Sequence, residues 1–135
     1  MEENGIALEK AMVAALEGID GLLDRVCPVT DIHKSTGPLA VYDPRQEETQ
    51  RSIEGPVELM QATVLVHVLH NTYMKMRLLS EKVKKALQAM EGLRKGPLLV
   101  EAVEVELASP DLYEGKAELF RRSYHVTFFY QIKED

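Results

Sequence analysis

The sequence contains a single cysteine, Cys27, and this scarcity limits both disulfide and metal chemistry. One thiol cannot form an intramolecular disulfide, and it cannot supply the several thiolates of a structural zinc site. The sequence also lacks any apolar run near the roughly 20 residues that span a bilayer. Its N-terminus, MEENGIALEK, is acidic where a signal peptide is basic. We therefore expect a soluble, cytoplasmic product of a reducing compartment.

Basic residues are also in short supply. The 16 Lys and Arg residues face 22 Asp and Glu residues, which gives a net charge of −6. A dedicated nucleic-acid site needs clustered cations to replace phosphate counterions, so specific DNA binding is not expected. With 135 residues and 45% hydrophobic content, the chain can fill one core but not two. We predict a single domain over residues 1–135.

No residue pattern predicts an active site. The sequence contains no GxSxG, no phosphate-cradling glycine loop and no HExxH. Cys27 has no predictable histidine neighbour, which favours an inert thiol. His67 and His70 are three residues apart on a predicted strand and point to opposite faces, so they cannot chelate one ion together. Glu104 and Glu106 share one strand face, as in a solvated sheet surface. We expect no catalytic residue, no cofactor and no metal ligand.

Hydrophobic periodicity predicts an α+β fold. Helical spacing from Ile6 to Leu16 and from Met74 to Met90 indicates two helices, with Asn71 or Thr72 capping the second. Strand patterns cover residues 39–42, 61–70, 99–107 and 122–132, and the last two are expected to pair across a long loop containing Ser-Pro-Asp. We therefore expect a mostly antiparallel sheet of about four or five strands with two helices packed on one face. The predicted core comprises Val64, Val66, Val68, Leu78, Val83, Leu87, Val105, Val126 and Phe128.

A polar stretch follows the first strand. Asp43 and Pro44 are expected to end that strand, because proline removes a ladder donor. The residues up to Gly55 are polar apart from Ile53 and offer little to bury, so we predict a mobile loop over 43–55 that becomes ordered on a partner. A solvated hairpin tip is the alternative. The candidate interaction residues are Asp43, Arg45, Gln46, Glu47, Glu48, Arg51 and Glu54.

Two further surfaces are candidates for contacts between subunits. The strand 61–70 carries valines on one face and Leu65 and Leu69 on the other, which suggests cover by another subunit. Residues 75–95 hold seven basic and two acidic residues, a local balance of +5, so the remainder carries −11. Lys82 and Lys85 either form an ordinary solvated face or meet an acidic surface on a neighbouring copy. The second arrangement is head-to-tail and favours a ring.

The order of these elements, together with several short sequence segments, resembles the phage tail-completion family, also described as tail-terminator or head-to-tail joining proteins. The segments are LAVYD, RSIEGPVELMQATVLVHVL, NTYMKMRLLSEKVKKALQAM, VEVEL, DLYE and RRSYHVTFFY. The likeness covers most of residues 1–132. Many relatives carry an aromatic residue, often Trp, near the end of the long central strand, where this chain has Leu69 and no Trp at all.

The resemblance implies a non-enzymatic structural subunit without a cofactor, part of a virion tail or neck and present in the host cytoplasm during assembly. It implies a homo-oligomeric ring, hexameric in the family, that caps the tail tube protein and binds the head-tail connector protein while DNA passes through. The acidic charge agrees with a passage that does not grip DNA. A small α+β enzyme or ligand-binding protein, and another phage neck or tail component, are the alternatives.

Overall fold

The computed structural model describes residues 2–29, 36–51, 58–116 and 118–132. Within these residues two helices and seven strands follow one another along the chain. The elements are α1 (Glu2–Glu17), β1 (Val26–Pro28), β2 (Leu39–Arg51), β3 (Glu58–His70), α2 (Tyr73–Gln88), β4 (Arg94–Lys95), β5 (Leu98–Leu107), β6 (Leu112–Glu114) and β7 (Leu119–Ile132). No helix among the described residues is long and apolar enough to cross a membrane.

The strands form one sheet in the order β1-β2-β3-β7-β5-β4, and β6 pairs with β7. Every pair is antiparallel except β1 with β2. The predicted α+β class and the mostly antiparallel sheet are confirmed. The described sheet has seven strands where four or five were expected, because the short strands β1, β4 and β6 add to the four long ones.

Both helices pack on one face of the sheet, as predicted. Strand alternation directs Val64, Val66 and Val68 of β3 to this face, where they meet apolar residues of both helices in one cluster. Helix α1 contributes Leu8 and Met12 to it. Five more residues of the predicted core behave as expected: Val83, Leu87, Val126 and Phe128 are buried in the cluster, and Val105 packs against it. Strands β5 and β7 also pair as predicted.

Helix α2 begins at the predicted cap, where the Thr72 side chain accepts a hydrogen bond from the backbone N–H of Lys75 at 3.2 Å. Its phase corrects the predicted core at one position, because Leu78 is 62% exposed. Successive helical residues are rotated by about 100°, and Leu78 lies outside the buried face of α2, which comprises Met76, Leu79, Ser80, Val83 and Leu87. Leu79 is buried instead, in line with Val83 one turn later.

Strand β2 does not end at Asp43 and Pro44. Pro44 pairs with Val64 and Gln46 with Thr63, so Arg45 is the extra residue of a β-bulge and the strand continues to Arg51. Proline is tolerated in a sheet next to a bulge or along an edge, and Pro44 lies at both. The prediction of a loop is therefore wrong for Asp43–Arg51, while residues 52–55, with Glu54 among them, lie outside the described residues.

The Ser-Pro-Asp segment interrupts a strand and does not form the hairpin turn. After β5 the backbone N–H of Ala108 still donates to the Ser123 carbonyl at 2.8 Å. The chain then resumes as β6 along the same edge of β7, with Leu112 opposite Arg121. The reversal itself lies between Glu114 and Leu119. Asp111 therefore lies beside β7, between the end of β5 and the start of β6.

Candidate interaction surfaces

The exposed side of α2 combines basic and apolar side chains. We call it the outer helix face and define it by Met74, Leu78, Lys82 and Lys85. Met74 and Leu78 are large apolar side chains that lie exposed one turn apart. Lys82 and Lys85 are also exposed, and neither forms an ion pair with any described residue. The lysines lie where the sequence predicted, whereas the apolar pair beside them was assigned in part to the core.

The side of the sheet that faces away from the helices is acidic. We call it the outer sheet face and define it by Leu65, Leu69, His125, Glu104 and Glu106. Leu65 pairs with His125, which pairs in turn with Glu106, so these three side chains form a row across β3, β7 and β5. Leu65 and Leu69 are half-buried, whereas the two glutamates are exposed and form no ion pair with any described residue.

His67 and His70 lie on opposite faces of β3, as predicted. His67 Nδ1 lies 2.7 Å from the hydroxyl of the buried Ser123. His70 Nδ1 accepts a hydrogen bond from the backbone N–H of Asn71 at 2.8 Å. Burial, and then the nearby Lys75 ammonium, lower the pKa of His70. The described parts of the chain bring together no group of three or more His, Cys, Asp or Glu side chains that could hold a metal ion.

An ion-pair network joins α2 to the interrupted edge strand. Arg122 of β7 donates from Nε and Nη2 to the two carboxylate oxygens of Asp111, each at 2.8 Å. Its Nη1 also lies 3.9 Å from the Glu81 carboxylate on α2. The hydrogen bonds from Arg122 lower the pKa of Asp111, and the same contact raises the pKa of Arg122. Sequence reasoning missed this network, since it depends on the strand interruption that brings Asp111 beside β7.

An aromatic corner adjoins the N-terminal end of the outer helix face. The Phe120 ring packs against Tyr113 at 4.8 Å and against Tyr73 at 6.1 Å between centroids. The Arg77 guanidinium lies 6.0 Å from the centre of the Tyr73 ring. Tyr73 and Tyr113 are both exposed, so the corner extends the apolar surface of α2 towards β6. The order of residues along the chain contains no signal for this contact between distant segments.

Strand β2 carries those remaining predicted residues that the structure describes. Asp43 is half-buried and follows the last β2 residue that pairs with β1. From Asp43 to Arg51, the outer edge of β2 has no strand partner among the described residues. Gln46, Glu47 and Glu48 belong to this open edge. The predicted residues that the structure describes thus fall on three separate surfaces: the β2 edge, the outer helix face and the outer sheet face.

Similarity to known proteins is found among solved structures. No protein-family model matches the sequence, and no curated protein sequence matches it. Among solved structures, a chain of the "Virion of native gene transfer agent (GTA) particle" is similar to this chain, with a TM-score of 0.55 and 14% sequence identity. The match covers 88% of this chain and 84% of that chain. At this identity the likeness establishes a shared fold.

Proposed function

We propose that this chain is a non-enzymatic structural subunit of a phage-like virion. The observation that carries the proposal is the fold it shares with a chain of a gene transfer agent virion over 88% of its own length. Support also comes from the order of the predicted elements and from the short sequence segments quoted above, which resemble tail-completion proteins independently of that structure. Fold alone does not determine function, so a test of the role is required.

The more specific proposal is a tail-completion subunit that assembles into a ring, caps the tail tube and joins it to the head connector. The hexameric ring size follows from the family resemblance. A net charge of −6 supports a passage through which DNA slides without being held, because an acidic lumen repels phosphate. No cofactor has a place in this role.

The open β2 edge supports a contact surface for another virion protein. Within this proposal, the tail tube, the connector or a neighbouring copy contacts Asp43, Arg45, Gln46, Glu47, Glu48, Arg51 and Glu54. An unpaired strand edge offers backbone donors and acceptors to an added strand, and its mixed charges can select the partner.

Deletion of the gene from the virus or genetic element that encodes it tests the role. We expect separate heads and tails, with tails that are unfinished at the head-proximal end, because the joining ring is missing. Electron microscopy of lysates, with infectious or transducing titre, is the measurement. Expression of the gene from a plasmid should restore joined particles. Normal particles from the deletion strain would eliminate the tail-completion role.

Deleting Gln46–Gln50 tests the β2 edge separately. These residues pair with Leu59 to Thr63 of β3, so the deletion removes part of a hairpin and its effect on folding must be measured directly. We expect the cooperative thermal transition of the purified variant to persist, since Leu39 to Asp43 of β2 still pair with β3. We expect head joining to fail in the complementation assay. A folded variant that yields normal titres would leave the hairpin as a spacer.

A further inference from the structure

The outer helix face and the outer sheet face lie on opposite sides of the molecule. Helix α2 buries Val83 and Leu87 against one side of the sheet, so Leu78 and Lys82 point away from the sheet on that side. Glu104 and Glu106 alternate with Val103 and Val105, which pack on the core, and therefore project from the other side. Two surfaces that point in opposite directions on one subunit can meet only when a different subunit supplies the second.

The two faces are complementary in charge. The outer helix face presents Lys82 and Lys85, and the outer sheet face presents Glu104 and Glu106. All four side chains are exposed, and none forms an ion pair within the described chain. This contrasts with Arg122, which is paired to Asp111 inside the subunit. Charges left unpaired in one copy are available to pair with the opposite charges of another.

Apolar groups accompany the charges on both faces. Met74 and Leu78 are each 62% exposed and lie in the same row as the lysines. On the sheet, Leu65 is half-buried in the row that ends at Glu106. An interface typically combines an apolar centre with a polar rim, and both faces offer that composition. A nucleic acid does not fit the outer sheet face, because the glutamates would repel its phosphates.

We infer that a second copy of this chain is the partner of both faces, with the outer helix face of one copy docked on the outer sheet face of the next. Such a contact is heterologous, since each copy uses two different patches, so it closes into a ring or continues as a filament and cannot stop at a symmetric dimer. The inference deepens the proposed ring subunit and takes its biological setting from it.

Charge reversal of either face tests the docking. Lys82→Glu with Lys85→Glu makes both faces acidic, and Glu104→Lys with Glu106→Lys makes both basic. In sedimentation velocity over a concentration series at low salt, we expect each variant to lose self-association by on the order of tenfold or more in association constant relative to the native chain. High salt should weaken the native association, because it screens exposed charges.

Mixing the two variants gives the sharper result. The acidic helix of the first variant faces the basic sheet of the second, and the remaining pair of faces is also complementary, so a one-to-one mixture should regain association. Native mass spectrometry should then show alternating assemblies with an even number of subunits. The variant that carries all four changes should associate with itself.

Exposed Lys10 and Lys95 serve as a matched control, since reversing both gives the same charge change on other surfaces and should have little effect.

Each outcome decides the inference. Rescue by mixing supports it. Unchanged association of the reversed variants, failure of the mixture to associate, or a native chain that remains monomeric throughout the concentration series would overturn it. The gene deletion separates this inference from the proposed function. If mixing restores association and the deletion strain yields normal particles, the docking is retained and the tail-completion role is refuted. If the deletion strain yields unjoined heads and charge reversal leaves association unaffected, the docking alone is refuted.

Discussion

Arg122 donates two parallel hydrogen bonds of 2.8 Å to Asp111, from Nε to Oδ1 and from Nη2 to Oδ2. Both side chains are largely shielded from water, so solvent screens the pair less than it screens a surface ion pair. The contact ties the segment between β5 and β6 to β7, at the point where the edge strand is interrupted.

Replacing Asp111 with Ala should therefore destabilise the fold by about 1–3 kcal/mol, because it leaves the shielded guanidinium without its acceptor. Urea unfolding followed by circular dichroism measures the change. Glu114→Ala is the control, since its pair with Arg121 is more exposed and should contribute about 0–1 kcal/mol. Equal losses from the two variants would contradict a special role for Asp111.

The same carboxylate gives a pH dependence. Its pKa is lowered in the folded state by the Arg122 hydrogen bonds, so its contribution to stability is present above the ordinary aspartate pKa of about 4 and is lost as pH falls through the lowered value. Asp111→Asn cannot titrate. We expect the native chain to lose more stability than this variant between about pH 5 and pH 2. Parallel acid-unfolding curves would contradict the assignment.

Two leucines on α2 provide a matched test of the helix phase. Leu87 is fully buried, and Leu78 is 62% exposed. Leu87→Ala should cost about 2–5 kcal/mol through lost contacts and a cavity, whereas Leu78→Ala should stay within about 0.5 kcal/mol. Chemical denaturation of both variants measures the difference. A large loss at Leu78 would show that the outer helix face is covered within the subunit.

A hydrogen bond joins α1 to the sheet. The Tyr42 hydroxyl donates to Glu9 Oε2 at 2.7 Å, and burial, followed by the Glu9 carboxylate, raises the pKa of Tyr42. Tyr42→Phe should cost about 0.5–1.5 kcal/mol at neutral pH. Because the folded pKa is raised, the tyrosine contributes stability below its ordinary pKa of about 10 and loses it as pH rises. In a spectrophotometric titration, Tyr42→Phe should remove a late-ionising fraction of the tyrosine signal.

A close backbone approach involves Gly37. A Cβ added there would lie 2.6 Å from His70 Cα and 3.1 Å from the Leu69 carbonyl oxygen, both of them backbone atoms of β3. Gly37→Ala should therefore destabilise the fold by about 1–3 kcal/mol. At Gly115 an added Cβ meets no atom within 4 Å, so Gly115→Ala should be close to neutral. Thermal unfolding of the two variants distinguishes a local steric conflict from a general effect of the substitution.

The sequence predicted the structure best in segments where a single periodicity of apolar residues dominates. Strict alternation at Val64, Val66 and Val68 identified the core face of β3, and the Thr72 cap identified the start of α2. It failed where several arrangements satisfy the pattern locally: Leu78 and Leu79 are equally apolar, and only packing on the sheet decides which of them is buried. It also failed at Pro44, since a bulge can carry a strand past a proline.

The surfaces followed the same rule. The faces on which Lys82, Lys85, Leu65 and Leu69 lie could be predicted from composition and alternation, because the position on a helix or strand sets the side to which a residue points. The Asp111 contact was not identifiable, since it requires the register between two strands that are separated by a turn. Long-range register is a property of the assembled sheet and leaves no mark on either strand alone.

The bulge at Arg45 has a consequence for solubility. A long, regular and unpaired strand edge is a template on which further strands add without limit, which leads to amyloid-like aggregation. Along the open edge of β2, Pro44 removes one backbone donor and the bulge breaks the even spacing of the others. The irregularity thus makes the open edge of β2 a poorer template for the addition of further strands. A straightened edge, as in Pro44→Val with Arg45 deleted, would remove this safeguard.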